Sequence, residues 1–319
     1  MKTYRKCIYM LHFRKQRSRI GKEKKKGSGE MEYFYLLLAM TFSALITVSG
    51  RLYNNKNREL ENITRLYSLM VSVAASAGWL ILWLTDFSFD AGVLPYAVLY
   101  GVLYAAFTVG MLGALKAGST SLTALIKQVA LVGVSFWGYL FWDTKFTSLS
   151  AVGIVLLLAS LALCLLVKEK KTDDHHLGKW LFNALLITLG NAGCSITQRY
   201  QQMAFQYQHK NMLMFFGCFF AACFCLLFAL GENKKNWKKA TKQSWMFPVL
   251  SGSSSALSNV FILLLVKCQM SPVILYPGIA VGGLIITTLI AFFGFREKLR
   301  PQQWVGLAVG AVALVLLNL

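Results

Sequence analysis

The sequence predicts an all-α membrane protein, ten transmembrane helices arranged as two inverted five-helix repeats. Three observations carry this. The 319 residues are 56% hydrophobic, with a mean hydropathy of +0.53, and a soluble protein of this length needs far more polar surface. Apolar runs of about 20 residues recur along the chain, long enough to cross about 30 Å of hydrocarbon as helices. Finally, one pattern is written twice. "FWDTKFTSLSAVGIVLLLASLALCLL" (Phe141 to Leu166) and "FREKLRPQQWVGLAVGAVALVLLNL" (Phe295 to Leu319) both run from an aromatic through an acid and a base to a glycine-bearing apolar helix.

The ten apolar segments are 32–50, 66–85, 93–115, 119–141, 147–167, 178–198, 211–231, 245–266, 270–294 and 302–318. The widest polar gap, "KEKKTDDHHLGK" (Lys168 to Lys179), divides them into two groups of five. The expected units are therefore residues 31–171 and 172–319. Each copy of the repeated pattern leads into the fifth helix of its unit: Asp143 and Lys145 precede Gly153, and Glu297 and Lys298 precede Gly306. Five is odd, so the second unit enters the membrane from the opposite side, an arrangement found in transporters.

Charge agrees with inversion. The odd-numbered loops carry most of the Lys and Arg, among them Arg51, Arg58, Arg65, Lys116, Lys179 and Arg300, whereas the even-numbered loops carry only Lys145, Arg199, Lys210 and Lys267. The positive-inside rule puts the odd loops in the cytoplasm and both ends of the ten-helix core outside. Asn62-Ile63-Thr64, a glycosylation sequon, would be silent there. Residues 1–30 contradict this topology: they hold eleven Lys or Arg and no apolar signal core. Either this basic tail is real and holds the N-terminus inside, or the natural start is Met31. The second reading removes the contradiction and is the one expected.

The net charge of +20 invites a nucleic-acid reading. The charges sit at the ends of apolar runs, where they anchor helices, so no nucleic-acid partner is expected. Six of the seven cysteines lie in or beside apolar runs, no pair has zinc-finger spacing, and His175 and His176 are adjacent in a loop where ligands rarely converge. No metal, no cofactor and no enzymatic activity are expected.

Polar residues within the apolar segments are the candidates for a substrate site. In the first, Ser43, Thr47 and Arg51 are four apart. In the third, Tyr96, Tyr100 and Tyr104 repeat at the same step and share a wall. Lys127, about two turns into the fourth, is costly in hydrocarbon and faces a cavity or a partner, or else snorkels to the interface. Gln128 adds an amide beside it. The sixth carries Thr188, Asn191, Ser195, Gln198 and Gln202 on one side, as helix glue or as a path. The eighth clusters Ser251, Ser255, Ser258 and Asn259. The ninth has Gly278 and Gly282 for close packing and Pro277 as a hinge, and the tenth has Gly306 and Gly310. The expected substrate-binding set is Lys127, Gln128, Tyr100, Tyr104, Asn191, Ser195, Gln198, Ser255 and Asn259.

Two five-helix units, each with an aromatic–x–acid–base hinge and a glycine-bearing last helix, resemble the EamA-like branch of the drug/metabolite transporter superfamily. "ALKAGSTSLTALIKQVALVGVSFWGYLFWDTK" (Ala114 to Lys145) is also similar to that family's third-to-fifth helix passage. The resemblance covers nearly everything after Met31. It implies a central cavity between repeats, alternating access, and substrates such as amino acids, drugs, nucleotide sugars or sugar phosphates. The chain departs from the small four-helix multidrug members, which couple protons through a glutamate in the first helix. Here "YFYLLLAMTFSALITVSG" (Tyr33 to Gly50) has no acid. All 13 Asp and Glu sit in the tail, in loops or at helix ends, which argues against proton-coupled cation export.

The expectation is a secondary transporter in the bacterial cytoplasmic membrane, monomer or homodimer, moving a small polar or anionic metabolite. An exporter of amino acids or drugs, or a non-transporting membrane partner, is the alternative.

Overall fold

The computed structural model describes residues 28–60, 63–141, 147–165, 174–206, 208–229, 234–268, 270 and 272–316. The basic tail to residue 27, the sequon's Asn62, the hinge residues Asp143 and Lys145, and Lys168 to Lys171 of the central gap lie outside them.

The described residues form eleven α-helices and, among them, no strand. They are α1 (Ser28–Lys56), α2 (Thr64–Thr85), α3 (Leu94–Ala117), α4 (Thr120–Phe141), α5 (Ser148–Leu165), α6 (Asp174–Ala204), α7 (Lys210–Ala229), α8 (Trp237–Ser244), α9 (Met246–Lys267), α10 (Pro272–Phe293) and α11 (Pro301–Leu316). Each of the ten expected apolar segments overlaps one of them. The eleventh helix is α8, "WKKATKQS", which the sequence reading left in a polar loop because it carries no apolar run. Its Ala240 and Ser244 are buried against the bundle.

Five of the described helical stretches are long and apolar enough to cross a membrane: Met31–Lys56, Thr64–Thr85, Ala91–Ala117, Gly178–Ala204 and Lys210–Phe228. Ser148–Leu163, Gly278–Phe293 and Pro301–Leu316 are shorter apolar helices. The outside of the bundle is itself apolar, with Phe34, Ile81, Val155, Leu185, Phe228 and Phe293 more than half exposed. A belt of this kind is suited to lipid and would drive aggregation in water. This is a multi-pass membrane protein.

Helix starts follow local chemistry. Thr147 caps α5 by accepting from the Ser150 N–H at 3.1 Å, and Ser119 caps α4 by accepting from Leu122 N–H at 3.2 Å. Prolines open α10 and α11, where a missing N–H costs nothing. Gln303 reaches back to accept from Arg300 N–H at 2.9 Å, half of a capping box.

The helices pack closely because glycines lie where they meet. A Cβ on Gly110 (α3) would stand 2.8 Å from the Asn183 carbonyl oxygen of α6, and one on Gly190 (α6) would stand 2.7 Å from Leu103 O and Phe107 N of α3. Gly101 does the same against α7. The G-x-x-x-G of α11 packs on α5: Ser160 Oγ donates to Gly306 O at 2.5 Å, and a Cβ on Gly310 would meet that hydroxyl at 2.7 Å. Gly278 and Gly282 of α10 face Leu36 and Met40 of α1. Without a hydrophobic force between helices in lipid, such contacts and cross-helix hydrogen bonds supply the association.

The described parts of the odd-numbered loops gather at one end of the bundle. Gln243 Nε2, at the end of α8, donates to Lys56 O at 2.8 Å, Asn57 Nδ2 to Ser244 Oγ at 2.7 Å, and Arg65 to Phe228 O. The other end holds the loop after α2 against the α6–α7 turn. There Asp90 N–H points to Met212 Sδ at 3.4 Å, and Tyr96 meets Phe205 edge-on. The first of these ends is strongly basic, as the loop charges require.

Gly190→Ala is expected to cost about 1–3 kcal/mol, because its new methyl meets backbone rather than a movable side chain. Gly178→Ala, inside α6 with nothing within 4 Å of its Cβ, should stabilise by about 0.5–1 kcal/mol through helix propensity. Thermal unfolding of the two variants in detergent checks the difference.

Candidate functional site

Three groups of polar residues stand out. The first ties the basic end together. Beyond the end of α10 the chain turns through Arg296, a non-glycine residue at φ 53°, and Glu297 N–H donates back to Ala291 O at 3.0 Å. This aims the Glu297 carboxylate at the start of α4. It accepts from Thr120 N–H at 3.0 and 3.1 Å and from the Thr120 hydroxyl at 2.6 Å. A carboxylate there also meets the positive end of the helix dipole. Arg51, near the end of α1, stands 3.5 Å from Glu297. Its Nη1 donates to Leu115 O at 2.7 Å and Gly118 O at 3.3 Å, filling carbonyls at the end of α3. One ion pair therefore joins α1, the α3–α4 corner and the α10–α11 hinge. The Trp180 indole of α6 packs on Gly118 at the same corner.

The second group centres on Lys127 of α4. Its ammonium donates to Ser43 Oγ at 3.2 Å and Ser43 O at 3.3 Å on α1. The Lys127 carbonyl accepts from Asn191 Nδ2 of α6 at 3.0 Å, and Gln128 Nε2 donates to Ala280 O of α10 at 3.4 Å. A Cβ on Gly283 would come within 3.4 Å of Ser43 Oγ, so α10 passes beside this pair. No carboxylate pairs with Lys127 among the described residues. The arrangement is a half-buried cation held by a hydroxyl and a carbonyl, where four helices meet.

The third is the tyrosine wall. Tyr100 and Tyr104 are both buried and their rings stack, centroids 5.9 Å apart. They lie in the largest apolar cluster with Ile126, Cys194, Met214 and Ala256. Tyr104 interacts with Ser255 of α9, and Gly217 leaves room for the Tyr100 ring.

The remaining expected residues are spread around these groups. Ser195 is exposed and its hydroxyl returns to Asn191 O at 3.1 Å. Gln198 approaches Met214 Sδ at 3.9 Å, and Asn259 Nδ2 donates to its own helix at Ser255 O, 2.9 Å. Ser251 and Ser258 of α9 donate to Ile46 O and Ala39 O of α1, at 3.4 and 3.2 Å, so that part of the serine cluster is helix glue. A single helix, α10, runs through Pro277. Sequence reasoning placed Arg51 on a polar stripe and Glu297 in a hinge but missed their meeting, and it missed Thr120 and Asn57 altogether. For Arg51 and Glu297 the signal was a charge at the end of an apolar run; Thr120 and Asn57 are neutral and carried none.

No family model matches the chain. A solved crystal structure shares the fold with a TM-score of 0.60 over 88% of this chain and 95% of that one, at 10% identity. A stretch of 102 residues, 28% of this chain, is 35% identical to 89% of the probable 4-amino-4-deoxy-L-arabinose-phosphoundecaprenol flippase subunit ArnE of Pseudomonas fluorescens (strain Pf0-1). Through that stretch the chain belongs to the ArnE family. The ArnE match takes in nearly all of that relative and leaves most of this chain unmatched. Together with the apolar spans, the ArnE kinship points to a membrane protein of the flippase or transporter kind.

Glu297→Ala is expected to destabilise the protein by about 3 kcal/mol, because it leaves the Arg51 guanidinium without its counter-charge. Arg51→Ala in the same background should add much less than it costs alone, since both changes remove one interaction. Unfolding midpoints of the four members of this cycle check it.

Proposed function

We propose that this protein is a secondary transporter of the EamA-like kind: ten membrane helices in two inverted repeats, residues 31–171 and 172–319, moving a small polar or anionic metabolite by alternating access. The pattern of helix contacts supports the inverted repeats. Exchanging α1 with α6, α2 with α7, α3 with α9, α4 with α10 and α5 with α11 turns the α3–α6 contact into α9–α1, α3–α7 into α9–α2, and α4–α6 into α10–α1. The contacts α2–α7, α4–α10 and α5–α11 map onto themselves. A duplicated unit related by a two-fold axis produces this pairing.

The observation that carries the substrate class is Lys127. It belongs to the first unit, and its neighbours Asn191 and Ala280, reached through its own carbonyl and through Gln128, belong to the second. A cation at the seam between repeats, with only neutral partners, suits a carboxylate or phosphate as its counter-ion. Gln128, Asn191, Tyr100, Tyr104, Ser195, Gln198, Ser255 and Asn259 are proposed as its polar surround and Pro277 as a hinge. The basic end faces the cytoplasm of a bacterial cell in this reading, and the protein is not an enzyme. A second reading follows the relative's name, in which the anion is the phosphate of a lipid-linked sugar rather than a free metabolite.

Uptake into proteoliposomes tests both, with a panel of organic acids, sugar phosphates, nucleotide sugars, amino acids and cationic dyes, and a lipid-linked sugar phosphate in a flipping assay. An anion should be moved by the natural protein and at least tenfold more slowly by Lys127→Gln. Movement of cations or neutral solutes, equal in both proteins, would reject the anion reading.

A further inference from the structure

A cavity of about 230 Å³ opens at the basic end, apart from Lys127, and is lined by Arg51, Asn54, Asn57, Arg58 and Lys116, with Leu115 and Ile63 as apolar walls. Three of these side chains are cations and none is a carboxylate. Arg58 and Lys116 are exposed and have no ion-pair partner among the described residues. The Asn57 side chain is 2% exposed, its Nδ2 is used by Tyr53 O and Ser244 Oγ, and its Oδ1 is buried with no donor. Arg51 Nε is likewise buried with no acceptor. Asn54 spends its Nδ2 on Leu112 O at 3.1 Å. The cavity thus gathers three positive charges, of which those of Arg58 and Lys116 have no counter-charge among the described residues.

We propose that this cavity is a binding site for a phosphate ester. Guanidinium groups match phosphate oxygens in a two-pronged geometry, and an ammonium adds a point charge. The volume leaves room for an attached group. Arg51 gives the site a consequence. It is shared with Glu297, so an anion here competes with the carboxylate that ties the α10–α11 hinge to α4. Occupancy would loosen that tie. The site does not depend on Lys127 or on the transport reading. The same chemistry comes from two sources, a soluble phosphate ester or the headgroup of an anionic lipid in the adjoining leaflet.

Equilibrium binding of radiolabelled inorganic phosphate and of glycerol 3-phosphate to purified full-length protein, at constant ionic strength in chloride, is the first arm. The second compares thermal stability in nanodiscs of phosphatidylcholine with and without phosphatidic acid. Arg58→Ala and Lys116→Ala should each weaken binding at least tenfold. Lys238→Ala, which removes an exposed charge outside the cavity, should not weaken it. Binding in the first arm assigns a soluble ester, and stabilisation in the second alone assigns a lipid headgroup. Absence of an effect in both arms would overturn the proposal, as would equal binding by the Arg58 and Lys116 variants or loss of binding only in Lys127→Gln.

Discussion

The ion pair between Arg51 and Glu297 is the constraint on which the rest of this structure is hung. Each partner also fills backbone groups that a helix end leaves open: Glu297 takes the first N–H of α4, and Arg51 takes carbonyls at the end of α3. The pair therefore does more than attract across a few ångströms. It fixes where α3 stops, where α4 starts, and how the chain leaves α10. With Glu297 mostly buried, the interaction is less screened than a surface bridge and depends on both partners being present. Lys127 lies two turns beyond Thr120, so the orientation of α4 set at this end decides where the ammonium sits.

Away from that end the bundle is held by shape. Glycines bring α3 against α6 and α7, α10 against α1, and α11 against α5, and serine hydroxyls on α9 bond to carbonyls of α1. These contacts are short-ranged and leave the outer faces free for leucine, valine and phenylalanine to meet lipid. Contacts of backbone on backbone resist gradual deformation.

Much of this was legible in the chain. Hydropathy located every long helix, because a span of hydrocarbon demands an uninterrupted apolar run. The same signal cut α1 and α6 short. Residues 51–56 and 199–204 are more polar, yet they continue the helix past the apolar stretch. It also hid α8, whose eight residues are held by neighbours rather than by lipid. The glycine pairs were read correctly as packing. The stripes left packing and lining open: Ser251 and Ser255 look alike in sequence, but one bonds across to α1 and the other lies by Tyr104. Which residue of a polar face turns to a partner is decided by the rotation of its helix against others, which periodicity does not contain. The meeting of Arg51 with Glu297 is the same kind of fact, a contact between chain segments with no shared pattern.

The measurement that reaches the centre of this account is the distance between spin labels at Lys56 and Lys298, two exposed positions flanking the ion pair, in a cysteine-free background. The natural pair should give one narrow, short distribution. Glu297→Gln should add a second, longer population, because α1 and the α10–α11 hinge have lost the charge that holds them together. A single distribution unchanged by Glu297→Gln would contradict the claim that this interaction closes the basic end.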